Sequence, residues 1–384
     1  MNSQNTNQEN IGNSENSENS GPTREDRSDI VLLCNPRAGG RWQELAKILD
    51  SEEAQHVHRI VTDDVSDIGP ALKSLGRDAG LLIIYGGDGT IQQILDRMSP
   101  SAADDLRLAL IGGGTMNVTS RWCGMSRKPA ENFRAVVQAF RSGNLPLLEV
   151  PLLEIRNGER VRQGFTFGNG PLVRIVDRFE RSAKNRRAVF TVATGSVVAA
   201  LTGFPRELAK TTAPMKAKVT LDGETLDTEE FTILFANVTG QINPGVEPFP
   251  KARERGTFYC AAYAVSPREL TLVAPLLMRG LLPVDWASLL SPASLGKRLG
   301  ELLSAGRIRL SRDPRYVNRS VRHMEVQTDE KIYTVDGEIL EAIPGEPIHV
   351  QLGTQLKLAL NPVAALTPAI KQALTRVVDR VKTL

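Results

Sequence analysis

Cysteine, histidine and long apolar runs are scarce in this chain, and each scarcity excludes a class of protein. Among 384 residues there are three cysteines, Cys34, Cys123 and Cys260, widely separated and with no CxxC pair. That usage fits a reducing compartment and argues against a disulfide framework or a zinc cluster. The four histidines form no HExxH pattern. His56 and His58 would share a face of a strand, but they read as surface or core residues rather than as metal ligands. No apolar run approaches the ~20 residues a membrane-spanning helix needs. The net charge is only +3, so nothing calls for a polyanionic partner, and no nucleic acid is expected.

Residues 1–28 are also almost empty of apolar side chains, being rich in Asn, Ser and Glu. Such a segment buries too little surface to offset its ordering entropy, so a disordered tail is expected. It has no basic region followed by an apolar stretch, so it does not read as a secretory signal.

What is present is enough chain for two cores. Residues 29–150 alternate short apolar strands with helical patterns. Strands are expected at 30–34, 56–62, 81–85 and 106–111. Ile68, Ala71, Leu72 and Leu75 recur at helical spacing between two of them, as do Ile91, Ile94, Leu95 and Met98 after the third. This alternation predicts a three-layer α/β domain with a mainly parallel sheet. From about 151 to 361, runs such as MKAKVTL, FTILFANV, KIYTV, PIHVQL and LKLAL predict an antiparallel β-sandwich or barrel. Helical interruptions are expected near 184–202, 267–281 and 293–304. Residues 362–384 carry an apolar stripe through Val363, Leu366, Ile370, Leu374, Val377, Val381 and Leu384. They read as an amphipathic helix, packed back on a domain or lying on an anionic bilayer.

Three expected strands end in glycine-bearing loops that open helices, and in open α/β sheets such loops share the ligand-binding rim. Gly86-Gly87-Asp88-Gly89-Thr90 is the most informative of them. Its glycines let backbone amides approach phosphate oxygens, and the helix that follows offers unpaired N-terminal amides. Thr90 adds a hydroxyl, and Asp88 fits an anion site if it works through Mg²⁺ or accepts a proton. Neither a P-loop nor a GxGxxG fingerprint is present. The second loop, Gly112-Gly113-Gly114-Thr115-Met116-Asn117, brings a hydroxyl and an amide. The first, Asn35-Pro36-Arg37-Ala38-Gly39-Gly40, brings a bracing Asn and an Arg able to reach phosphate. Two Asp-Gly-Glu triplets, 222–224 and 336–338, read as hairpin turns.

NPRAGG, GGDGT and GGGTMN, in this order and spacing, resemble the diacylglycerol kinase catalytic domain family, which includes bacterial lipid kinases and the sphingosine and ceramide kinases. FANVTG (235–240), FPKARERGTF (249–258) and TVDGEIL (334–340) extend the resemblance. It implies an α/β nucleotide domain at 29–150, a β-sandwich lipid domain at 151–361 and an active site in the cleft between them. ATP and Mg²⁺ are the implied cofactors. Carried over by position, Asn35, Pro36, Arg37, Gly86, Gly87, Asp88, Gly89, Thr90, Gly113, Gly114, Thr115 and Asn117 line the nucleotide site, with Asp88 in the Mg²⁺ network. Asp336 and Glu338 enter from the second domain. The general base is Asp336 or Asp88, with Asp336 favoured, whereas Asp222 reads as a plain turn.

The implied reaction is phosphoryl transfer from ATP to the hydroxyl of a neutral lipid, diacylglycerol or ceramide in class. The implied setting is cytoplasmic, in peripheral contact with the inner face of the membrane, with a homodimer left open. The apolar segment Leu272, Val273, Leu276, Leu277, Met278, Leu281 and Leu282 reads as a core helix, or as a gate or bilayer contact. Three departures stand out: Val118 where many relatives carry Asp, the sequence Ile242-Asn243-Pro244-Gly245 in place of a glycine cluster, and Arg174 where sphingosine kinases carry an acid. An NAD kinase, which shares GGDGT, and a catalytically degenerate relative are the competing readings.

Overall fold

The computed structural model describes residues 29–38, 41–76, 78–98, 106–114, 117–182, 200–202, 206–242, 246–285 and 312–363. The expected tail, the C-terminal helix beyond 363, the helix at 293–304, the RIRLS strand and most of 184–202 lie outside them.

The first half is built from β1 (Asp29–Cys34), α1 (Trp42–Leu49), β2 (Val57–Val61), α2 (Ile68–Lys73), β3 (Ala79–Gly86), α3 (Asp88–Arg97), β4 (Arg107–Gly112), α4 (Val118–Trp122) and α5 (Pro129–Arg141). Its strands lie in the order β2-β1-β3-β4, all parallel. β3 is apolar on both faces, and all eight of its residues are buried. Each large aliphatic side chain buried there stabilises the fold by roughly 1.5–3 kcal/mol, which makes β3 the firm platform for the loop that follows it. α3 shows why a helix starts where it does. Gly87 is extended, Asp88 places a negative charge in the first turn, and Ile91, Ile94 and Leu95 form a buried stripe.

The second half contains β5 (Leu147–Asn157), β6 (Arg160–Gly164), β7 (Thr166–Asn169), α6 (Pro171–Ser182), α7 (Arg206–Thr212), β8 (Met215–Leu221), β9 (Glu224–Thr225), β10 (Glu230–Phe231), β11 (Ile233–Asn237), β12 (Phe258–Tyr263), α8 (Pro267–Leu277), β13 (Tyr316–Val321), β14 (His323–Thr328), β15 (Ile332–Val335), β16 (Glu338–Glu341) and β17 (Ile348–Ala359). One antiparallel sheet runs β13-β12-β11-β7-β15-β16. It faces the β8-β14-β17-β5 region. Phe167, Phe258, Tyr333, Met324, Val326 and Ile348 share one core, and Cys260 Sγ lies 3.7 Å from Met324 Sδ.

The two halves do not have separate sheets. β17 pairs antiparallel with β5 along its length and with β14 at its start, then runs parallel beside β4 at Lys357↔Arg107 and Leu358↔Leu108. The segments PIHVQL and LKLAL, expected as two strands, are therefore one. A break in register between Leu352 and Gln355 lets this strand serve both halves. The mainly parallel sheet becomes mixed because β4 has an edge to cover, and β17, the last described strand, covers it. α6 was not expected at 171–182; Pro171 starts it immediately after Gly170 turns the chain at φ +83°.

Candidate active site

The three glycine loops meet in space. Gly113 N donates to Gly86 O at 2.7 Å. A Cβ on Gly114 would stand 2.8 Å from the Gly87 Cα, and one on Gly113 would stand 2.6 Å from the Ala38 carbonyl oxygen. These two glycines are required by the contact between loops, before any ligand is considered. Gly89 differs: a Cβ there would meet nothing within 4 Å, so no packing demand explains it. Asn35 braces the first loop by accepting from Arg37 N at 2.9 Å, and its Nδ2 reaches Thr90 Oγ1 at 3.4 Å. Pro36 lies in the turn between them. The Arg37 side chain is exposed and lies 3.9 Å from Asp63, so the structure does not bring it among the glycines. Thr115 lies outside the described residues.

Asp88 is the first residue of α3, and burial raises its carboxyl above the ordinary range. The amides of Thr119, Val118 and Asn117, at the start of α4, act in the opposite direction. Asn117 adopts a left-handed conformation at φ 50°, which turns its Nδ2 onto Gly114 O at 2.7 Å. Asp88 Oδ1 and Asn117 Oδ1 are both buried without a hydrogen-bond partner among the described residues. Buried oxygens in that state cost about 1–3 kcal/mol each unless a donor or cation meets them. A hard cation that keeps waters and phosphate oxygens in its shell matches such a donor set. No group of three or more His, Cys, Asp or Glu side chains able to hold a metal is found among the described residues. The protein side of any Mg²⁺ site would therefore be sparse, through Asp88 with Asn117 beside it.

Asp336 comes from the turn between β15 and β16. Its carboxylate accepts from Phe165 N at 3.0 Å, Thr166 N at 2.7 Å and Thr166 Oγ1 at 2.9 Å. Burial nevertheless pushes its pKa up to about 6; these donors act against that rise, and the charge of Asp88 adds to it. The fold thus brings together two carboxylates that are far apart in sequence. Gly164 makes the approach possible, because a Cβ there would lie 2.5 Å from Val335 Cγ1 and 2.7 Å from Asp336 Oδ2.

Glu338 is turned toward α3, where both its oxygens accept from Gln93 Nε2, at 2.8 and 2.9 Å. Gln92 Nε2 donates to Gln163 O at 2.6 Å, Asp96 Oδ1 accepts from Gln163 N at 3.0 Å, and Arg162 pairs with Asp96. Polar side chains along α3 therefore clamp it to β6 and β16 and set the position of Asp88 relative to Asp336. Sequence reasoning missed Gln92, Gln93, Asp96, Arg162, Gly164 and Thr166. Only Gln92 carried a signal, as a polar residue at a position the helical period buries; nothing marked the others. Arg174, on α6, donates to the carbonyls of Lys210 at 2.8 Å and Ala213 at 2.6 Å and lies 3.4 Å from Glu330, so it is occupied structurally.

Residues 29–144 match the family model described as the diacylglycerol kinase catalytic domain. A search of curated proteins finds no match. Among solved structures, a candidate diacylglycerol kinase from Bacillus anthracis str. Sterne aligns over 90% of this chain and 99% of its own, with a TM-score of 0.60 and 18% identity. Two further structures of diacylglycerol kinases from that organism, the first of them again a candidate, align over 88% of this chain and 98% of theirs. Their TM-scores are 0.56 and 0.54, with 17% and 16% identity. At these identities the likeness is one of fold. No helix among the described residues is long and apolar enough to cross a membrane. Residues 29–144 of this chain thus resemble the diacylglycerol kinase catalytic domain, and they are joined to an antiparallel sheet domain.

Proposed function

We infer that the protein is an ATP-dependent lipid kinase that phosphorylates the hydroxyl of a neutral lipid, of the diacylglycerol or ceramide class. The observation that carries this reading is that buried Asp336, with a pKa near 6, feels the charge of Asp88, which opens α3 at the joined glycine loops. A carboxyl with that pKa is ionised at neutral pH yet more basic than an ordinary carboxylate, as a general base should be.

In the proposed step Asp336 accepts the proton of the lipid hydroxyl as its oxygen bonds to the γ-phosphorus. The bond from that phosphorus to the ADP oxygen breaks in line. Thr166 and Phe165 hold the carboxylate in place through their donated hydrogen bonds. Loop amides around Gly86–Thr90 and the start of α3 face the phosphates. Mg²⁺, bound with ATP, supplies neutralisation of the charge on the transferring group; Asp88 Oδ1 and Asn117 Oδ1 are the oxygens that suit it. Glu338 acts as a positioning residue through Gln93. The lipid acceptor implies a cytoplasmic enzyme working in peripheral contact with a bilayer.

The test is incubation of purified protein with γ-labelled ATP, Mg²⁺ and separate panels of neutral lipids and NAD. Label in a lipid phosphate, absent in Asp336→Asn, supports the reading. Brisk formation of NADP without lipid labelling would replace it with an NAD kinase. No transfer to any acceptor would favour a degenerate, binding-only protein.

A further inference from the structure

α8 is built to stay on the surface of the antiparallel domain. Ser266 caps it by accepting from Glu269 N at 3.1 Å, and Pro267 begins it. One face is packed. Leu277 is buried in a cluster with Phe235, Ala261, Tyr263, Val265 and Tyr316, and Leu270, Val273 and Leu282 cover the cluster. The opposite face should be polar in a helix that meets only water, but it is not. Leu272, Leu276, Met278 and Leu281 are between 47 and 65% exposed. Arg268, Leu272 and Leu276 follow one another at i,i+4 spacing, and Arg279 continues the stripe in the next turn. Both arginines are exposed, and neither forms an ion pair with a described residue.

We propose that this face, Arg268, Leu272, Leu276, Met278, Arg279 and Leu281, is the surface that docks on an anionic phospholipid bilayer. Apolar side chains flanked by exposed arginines suit an interface where acyl chains lie beneath negative headgroups. The surface also connects to the site. Val238, just past β11, donates to Phe165 O at 3.1 Å, next to the amides that hold Asp336. Glu247, later in the same connection, donates to Met278 O at 2.9 Å at the exposed end of α8. Docking through α8 would set the Asp336 end of the sheet close to the bilayer. The proposal rests on the lipid-kinase reading for its purpose, since an acceptor dissolved in a bilayer must be met there.

The experiment is flotation of the full chain, without ATP, on vesicles of phosphatidylcholine alone and of phosphatidylcholine with phosphatidylglycerol. Binding to the anionic vesicles is expected. Leu272→Gln with Leu276→Gln should weaken it about tenfold or more, and Arg268→Glu with Arg279→Glu about tenfold, on anionic vesicles only. Phosphorylation of a short-chain, water-soluble diacylglycerol should be unchanged in both variants, because none of these residues touches the site. The surface is overturned if the wild type ignores anionic vesicles or if both variants bind as well as it does. It is also overturned if light scattering shows a dimer that Leu272→Gln with Leu276→Gln converts to monomers, which would make a second copy the occupant. A loss of thermal stability in the leucine variant would assign the face to the chain's own packing and overturn it equally. Vesicle binding without any lipid phosphorylation would leave the surface standing and remove the kinase reading. Phosphorylation of the soluble lipid without vesicle binding would do the reverse.

Discussion

Asp222-Gly223-Glu224 and Asp336-Gly337-Glu338 share a sequence and a backbone, yet they differ in surroundings. Both are two-residue hairpin loops, closed by the pairs Leu221↔Glu224 and Val335↔Glu338. In both, the Asp and Gly are left-handed, at φ 52° and 87° in the first and 50° and 89° in the second. In both, the Asp accepts hydrogen bonds from two successive backbone amides, those of Arg322 and His323 or those of Phe165 and Thr166. Asp222 is exposed and Glu224 pairs with Arg319 at the surface. Asp336 lies within reach of the charge of Asp88 and packs under Gly164, and Glu338 is fastened to α3. A turn motif fixes a local conformation, and the strands that present it decide whether the carboxylate is chemistry or packing.

Asp336→Asn should break the comparison most. Loss of the base is expected to lower kcat about 10³-fold in a labelled-ATP assay, while Asp222→Asn stays close to wild type. Stability should move the other way. The folded pKa of about 6 lies above the ordinary 3.8, so the folded state holds the proton more tightly, stability is lost as pH rises from about 3.8 to about 6, and that loss is complete at pH 7. The Asn variant should therefore melt no lower than wild type at pH 7, measured by calorimetry, and a marked drop would mean Asp336 is mainly structural.

Next comes the support of each turn. Gly164→Ala must displace Val335 or Asp336, and a cost of about 1–3 kcal/mol with a large loss of kcat is expected. Gly223→Ala meets no neighbour, and only its left-handed φ is strained, so about 1 kcal/mol and full activity are expected. Equal activity in the two variants would erase the distinction between the turns.

The clamp is a subtler test. Gln93→Ala removes both bonds to Glu338 and should lower kcat about tenfold with little change in KM for ATP, since a small misplacement of reacting groups is costly. Glu224→Ala breaks only an exposed ion pair, worth about 0–1 kcal/mol.

The smallest effect concerns coupling. The charge of Asp88 raises Asp336, so Asp88→Asn should lower the Asp336 pKa from about 6, read by carbon NMR titration of the side-chain carboxyl. In the wild type, kcat/KM should fall as pH drops through that same value. An Asp336 titration that ignores the Asp88 substitution would place the two carboxylates in separate environments.

Much of this site was legible because its parts are local. Strand ends followed by glycines marked the three loops, and the Asp-Gly pairs marked both turns, because left-handed residues are restricted to few side chains. The clamp was not legible. Gln93 and Asp96 look like ordinary helix residues, Gln92 stands out only as a polar residue at a buried position, and their partners on β6 and β16 follow far later in the chain. The joined sheet was hidden for a similar reason. β17 reads as any apolar strand, and only the exposed edge of β4 gives its last residues a parallel partner.

The sequence by itself determined the turns, the helix that the Gly86–Thr90 loop opens and the alternation that builds the first sheet, since each depends on neighbours within a few residues. Only the tertiary structure decided which Asp-Gly-Glu triplet meets Asp88. Burial and the field of a second carboxylate depend on strands that pair across the whole chain, and no local pattern encodes which of two identical turns they will enclose.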